Sequence, residues 1–342
     1  MLRRLAVLMA ASMPVLAGCS DHSTPETPCA PTPPPDVTSV DGWLGQIHRF
    51  PDDVALAVDD GRGHTAERRA DDAQPLASAE KVVPLAAYAR AVAARELDPR
   101  ERITVAEWER WYLPGTDGGA HEQARTRLTG DTVTLDELVS AMIRESDNGV
   151  ADYLRDRLGD RALIDAAEAG GWRDYRPSSK IGDAIRLLDP TVTDSWAAAQ
   201  RYVADPAYRA TMESTPAPPF DIQARWVETT PTASARQLTA MHRAIAGGGF
   251  GPGSDIARAH LEWQIPADAP EAVGFKGGSY PGVLTDAIFV RRGDGTVATA
   301  VLLNRRMPQS TWQTALSGLN EQGLLLRAMS EPDMMRRLSC AV

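Results

Sequence analysis

Apolar positions along this chain recur first at helical spacing and later at strand spacing, and that change suggests the architecture. In residues 41–50 (DGWLGQIHRF), Trp43, Leu44 and Ile47 fall on one face, predicting a short amphipathic helix. Residues 54–58 alternate like a strand and run into the turn signal Asp59-Asp60-Gly61. Residues 80–96 are rich in Ala, Val and Leu with no turn residue after Pro84, predicting a buried helix. Pro84 falls within its first turn or so, where a missing N–H costs little. Ser78 then sits at the N-terminal end of that helix, with Lys81 one turn along. Thr134-Leu135-Asp136-Glu137 is a capping box opening a helix that ends just before Ser146, and residues 150–158 begin the next. Ser146-Asp147-Asn148 therefore occupies a helix-to-helix connection, where side chains can converge on a cleft.

Residues 191–230 carry Pro216, Pro218 and Pro219 and support no assignment. Residues 235–245 read as a helix ended by Gly247-Gly248-Gly249. Strands follow at 273–275, 284–291 and 297–304, the last two joined by the hairpin signal Arg292-Gly293-Asp294-Gly295. Lys276 is placed at the end of the first strand, and residues 311–329 close the chain as a helix. The order predicts an α+β fold, an antiparallel sheet flanked by helices from both termini with an all-α lobe inserted. The sheet lobe takes about residues 40–77 and 235–342, and the helical lobe about 78–234.

The amino terminus changes the picture of where the protein works. Arg3 and Arg4 precede an apolar stretch over residues 5–16, too short to span a bilayer stably. Leu16-Ala17-Gly18-Cys19 resembles the lipobox of bacterial lipoproteins, which implies a signal peptide over 1–18 and lipid on Cys19. More than one acyl chain anchors stably, so the expected location is the extracytoplasmic side of the cell membrane. The plainer alternative is an ordinary secretory signal followed by an incidental Cys. Residues 20–39, with Pro25, Pro28, Pro31 and Pro33 to Pro35, read as an extended, solvated tether. With Cys19 assigned to lipid, Cys29 and Cys340 remain in an oxidising compartment and offer a disulfide tying the tether to the C-terminal tail, the alternative being two free thiols on loose ends. A net charge of -10 argues against nucleic acid as a partner. The six His residues show no metal-ligand spacing, so neither metal nor other cofactor is expected. A monomer is the expected state.

Only three of the 36 cationic side chains are lysine, Lys81, Lys180 and Lys276. A guanidinium keeps its proton at any workable pH, whereas a desolvated ammonium can lose it and act as a base. Two of the three fall in short motifs, Ser78-Ala79-Glu80-Lys81 and Lys276-Gly277-Gly278, with Ser146-Asp147-Asn148 between them. Each triplet alone is commonplace: a surface pair, a turn or cap, a strand-to-turn junction. In this order, with the first opening a helix, they resemble the S-x-x-K, S-D-N and K-T-G motifs of class A β-lactamases and penicillin-binding proteins. Residues 132–159 and 273–304 are similar to that family's corresponding regions, and the resemblance covers roughly residues 40–342.

The resemblance implies Ser78 as nucleophile, Lys81 as its base and Ser146 as the proton relay to the leaving nitrogen. It implies that Asn148 binds a substrate amide and that Lys276 attracts the carboxylate of a β-lactam or a peptide ending in D-alanine. Lys276 keeps its proton in this reading. Gly277 and Gly278 line the same site, and backbone N–H groups of Ser78 and Ser279 form the oxyanion hole. Substrates would be small molecules or peptidoglycan-derived. Two departures stand out. Gly277 replaces the usual Thr, and Ser279 is the nearby hydroxyl to compensate. The deacylating Glu of class A enzymes, about 35 residues beyond Ser-Asp-Asn, has no counterpart, since no Glu lies between Glu168 and Glu213. Asp183 is near that position with a shorter arm. Lys180 matches no motif and reads as a solvated loop side chain. The 190–232 region reads as an insertion. Two functions remain: an acylating serine hydrolase with weak deacylation, or a catalytically poor envelope scaffold on the same fold.

Overall fold

The computed structural model describes residues 28–264 and 271–342, so the signal segment and Cys19 lie outside the described residues. The chain opens with α1 (Val40–Arg49), β1 (Val54–Asp59), β2 (Thr65–Arg68) and the short β3 (Gln74–Pro75). A 3-10 turn (Ala77–Lys81) leads into α2 (Val82–Ala93). The helical lobe continues with β4 (Arg102–Thr104), α3 (Val105–Glu109), α4 (Ala120–Arg127), β5 (Thr132–Thr134), α5 (Leu135–Arg144) and α6 (Asn148–Ala169). It is extended by α7 (Lys180–Leu188), α8 (Ser195–Ala204), α9 (Pro206–Ser214) and α10 (Phe220–Val227). Then β6 (Thr232–Ala233), α11 (Ala235–Gly247) and α12 (Ser254–Leu261) lead back to β7 (Glu271–Tyr280), β8 (Val283–Arg292) and β9 (Val297–Asn304). Three helices finish the chain, α13 (Gln309–Gly318), α14 (Asn320–Ser330) and α15 (Pro332–Ala341).

The main sheet is antiparallel in the order β2-β1-β9-β8-β7. Its central strands are buried on both faces, so β1, expected to alternate, is instead a nearly continuous apolar run like β9. Leu56, Ile288 and Leu302 face one core with Trp43, Ile47, Leu324 and Leu325 of the terminal helices. Ala57, Ala287, Phe289 and Val301 face the other, shared with Leu85, Leu138, Met142 and Leu238. Each fully buried Leu or Ile contributes about 1.5–3 kcal/mol, so the sheet is clamped from both sides. One edge strand, β7, lies beside the 3-10 turn and carries Lys276 to it.

Three element boundaries are corrected. The helix expected over 80–96 is the 3-10 turn followed by α2. Lys276 is inside a strand, not at its end, because Gly277 and Gly278 stay paired with Asp286 and Thr285 of β8. The helix expected over 311–329 breaks at Leu319, which adopts φ 51°, and Pro332 starts a further one. Residues 191–230 form three short helices, of which α8 and α9 are capped by Asp194 and Asp205 side chains. Cys29 and Cys340 are joined by a disulfide, and the Asp36 N–H donates to the Gly42 carbonyl at 3.1 Å. The described end of the Pro-rich segment is therefore tied to α1 and α15 rather than free. Among the described residues no helix is long and apolar enough to cross a membrane.

Candidate active site

The nucleophile turn is built for eclipsed side chains. A 3-10 helix has about three residues per turn, so Ser78 and Lys81 stack directly and Lys81 Nζ lies 2.9 Å from Ser78 Oγ. Ala77, just before Ser78, has φ 48°, a left-handed conformation that a Cβ-bearing residue adopts at a cost. Lys81 is fully buried. Its Nζ is 2.5 Å from the Ser146 carbonyl, 2.6 Å from Asn148 Oδ1 and 3.2 Å from Ser146 Oγ. Burial, then the charges of Lys276 and Lys180, push Lys81 well below the usual ammonium range, against Asp147 and Asp117. A neutral amine has two N–H donors and one lone pair. The two shortest contacts take the donors, which leaves the lone pair for the Ser78 hydroxyl.

The Ser-Asp-Asn connection is held by its aspartate. Ser146 has φ 76°, and such a conformation persists only when its surroundings fix it. Asp147 is fully buried and caps α6, accepting from the Val150 N–H at 2.9 Å. It also accepts from Trp108 Nε1 at 3.2 Å and pairs with His121 Nδ1 at 2.7 Å. His121 stacks on Tyr112 with centroids 3.9 Å apart. Asn148 Nδ2 donates to the Thr116 carbonyl at 3.2 Å, so one amide hydrogen and one lone pair remain for a substrate. Sequence reasoning missed Trp108, His121 and Thr116, which belong to no motif and lie 26 to 39 residues from Asp147 in the chain or, for Thr116, 32 from Asn148.

Strand β7 brings the third motif. Lys276 is buried, and its Nζ donates to Ser146 Oγ at 3.1 Å and to the Gly277 carbonyl at 2.7 Å. Burial, then Lys180, lowers it to about 7, with Asp286 opposing. That is lower than the expected permanent cation requires, and an anionic group beside Lys276 would favour its charged form. Gly278 allows close approach: a Cβ there would sit 2.4 Å from the Ser78 nitrogen. Gly277 faces the opposite side, where a Cβ would meet Phe275 Cζ at 2.6 Å and Asp286 Oδ1 at 3.1 Å. The expected compensation by the Ser279 hydroxyl is corrected. That hydroxyl donates to the Val283 carbonyl at 3.1 Å and accepts from Trp312 Nε1 at 2.8 Å, turned toward α13.

The loop side differs most from expectation. Lys180 is not solvated; it is buried at the start of α7, with Nζ 2.5 Å from Glu80 Oε2 and 3.3 Å from the Ala77 carbonyl. The Glu80 carboxylate also accepts from Ser178 Oγ at 2.7 Å and Tyr175 OH at 3.1 Å. Asp183 accepts from Ser195 Oγ at 2.8 Å through one oxygen and lines a cavity with Glu80, its buried Oδ2 having no partner among the described residues. Burial raises its pKa.

The sequence profile of the "Beta-lactamase enzyme family" matches residues 47–318. Over 123 residues the chain is 29% identical to the β-lactamase SME-1 of Serratia marcescens, a match covering 34% of this chain and 39% of that protein. The chain thus matches about two fifths of that relative's length. The solved β-lactamase of Sphaerobacter thermophilus shares the fold at TM-score 0.56 and 21% identity, over 86% of this chain and 98% of that one. For that of Chitinophaga pinensis the values are 0.53 and 15%, over 83% and 99%. An ancestral class A β-lactamase gives 0.53 and 19%, over 85% and 98%. With a profile match across most of its length and the same fold in solved relatives, the chain belongs to the β-lactamase enzyme family.

Proposed function

We propose that the protein is a lipid-anchored serine hydrolase that acylates Ser78 with β-lactams, or with amides and esters ending in D-alanine, and releases the acyl group slowly. One observation carries the reading: Lys81 Nζ lies 2.9 Å from Ser78 Oγ while Lys276 Nζ donates to Ser146 Oγ at 3.1 Å. That arrangement suits a complete proton circuit. Ser78 Oγ attacks the carbonyl carbon as its proton passes to Lys81, and Lys81 returns a proton through Ser146 Oγ, 3.2 Å away, to the leaving nitrogen as the C–N bond breaks. Lys276 faces the substrate carboxylate, Asn148 its amide, and the Ser78 and Ser279 N–H groups the developing oxyanion. Slow release is supported by the loop, which carries no Glu in the family's position and where the Glu80 oxygens are held by Lys180, Ser178 and Tyr175. Anchoring through Cys19 would hold a monomeric enzyme at the outer face of the membrane, close to peptidoglycan-derived substrates.

A fluorescent penicillin tests this. A denaturing gel and intact mass are expected to show a persistent adduct on the wild type that is absent from Ser78→Ala. No adduct at millimolar ligand would favour the scaffold function instead. Rapid hydrolysis of a chromogenic cephalosporin would overturn the slow-release part alone.

A further inference from the structure

Lys180 belongs to no motif, yet it touches the structure that carries the nucleophile. Its Nζ reaches the Ala77 carbonyl at 3.3 Å and the Glu80 carboxylate at 2.5 Å, contacting both ends of the turn that presents Ser78. The same segment adds Ser178 Oγ and Tyr175 OH to Glu80, so residues 175–180 grip the turn through three donors. Ala77 needs such support, because φ 48° is unfavourable for it. We propose that Lys180 is a third lysine of the active site, a positioning residue that pins the nucleophile turn and whose fixed positive charge acts on Lys81. The inference rests on the acyl-serine reading above and adds to it the regulation of the base.

The pair is not electrically silent as seen from Lys81. Glu80 and Lys180 are both buried and border the same small cavity as Lys81 and Ser178. Ser178 and Tyr175 share the Glu80 carboxylate with Lys180, while the ammonium sits against the Ala77 carbonyl beside the nucleophile. Lys81 is faced by Lys180 from α7, Lys276 from β7, Asp147 and Asn148 at the start of α6, Asp117 from the loop before α4, and the Ser78 and Ser146 hydroxyls. Lys180 itself faces Glu80, Tyr280, Asp183 and, through its backbone N–H, Asp152. The two neighbouring ammonium groups oppose protonation of Lys81, and the two aspartates favour it. Glu80 keeps Lys180 charged, so this source of repulsion persists across the working pH range.

The lysine count makes the test direct. Lysine labelled with carbon-13 at Cε gives three signals in the full chain, with Lys81→Arg identifying the one that matters. Removing the Lys180 charge is expected to raise the Lys81 titration midpoint by on the order of one unit, in both Lys180→Met and the pair Glu80→Gln/Lys180→Met. The rising limb of the acylation rate against pH should move with it, since only neutral Lys81 accepts the Ser78 proton. A purely structural clamp would lower stability or rate without moving the midpoint. The double variant leaves no buried charge unpaired and carries the test should the single one fail to fold. An unchanged Lys81 midpoint in the folded variants overturns the inference. A shifted midpoint without any acyl-Ser78 would sustain it and refute the acyl-serine reading instead.

Discussion

Gly277 stands where the family's third motif has Thr, and its surroundings show the constraint. Any side chain would press on Phe275, the Thr285 carbonyl and Asp286. Restoring the family residue should therefore damage this protein. Gly277→Thr is expected to lose about 1–3 kcal/mol of stability through overpacking and to acylate more slowly, read by thermal melting and penicillin labelling. Faster acylation at an unchanged Tm would show that the missing hydroxyl, not the crowding, matters. At this scale legibility followed chemistry. Ser78, Lys81, Ser146, Asn148 and Lys276 could be picked from the sequence because lysine is scarce in it and the three short motifs occur in the family's order. Lys180 and Glu80 could not, since a lone polar residue in a sequence does not reveal a partner 100 residues away.

Elements were legible where a period or a cap defined them. The capping box at Thr134 and Glu137 starts α5, and the β8–β9 hairpin turns where Asp294 and Gly295 signalled. They were illegible where tertiary contact overrode local preference, as in β7, whose Gly-Gly pair continues the strand because the sheet must pass close to Ser78. The connection ahead of α6 is a third case. Its left-handed Ser146 depends on Asp147, and Asp147 depends on Trp108 and His121 from elements with no motif. His121→Phe keeps a ring against Tyr112 and removes only the contact to Asp147. Leaving that buried carboxylate short of a partner is expected to cost about 1–3 kcal/mol. Acylation should slow as Ser146 and Asn148 lose their fixed geometry. Wild-type Tm together with wild-type acylation rates would mean that the α6 cap alone holds the connection.

On the scale of the whole molecule, the sheet separates two cores, and ionisable groups are buried on either side of it. On the site side lie Lys81 and Lys276, both lowered. On the other side, Asp286 of β8 and Glu321 of α14 lie between the sheet and the terminal helices, and Asp286 Oδ2 and both Glu321 carboxylate oxygens lack a partner among the described residues. Burial, then Glu321, lifts Asp286 to about 8 against Gln322 and Lys276, and burial lifts Glu321 to about 7. Both values are raised above the unfolded ones, so the native state holds protons that the unfolded chain has released. The stability from those neutral carboxyls is fully present below about pH 4 and is lost progressively as pH rises through 7 to 8. Asn at 286 has nearly the same shape and cannot ionise. The Tm gain of Asp286→Asn over wild type should therefore grow as pH rises from 5 to 8, by several degrees across that range. A Tm difference that stays constant across that range would show that Asp286 titrates normally and that the neighbouring Lys276 compensates it fully.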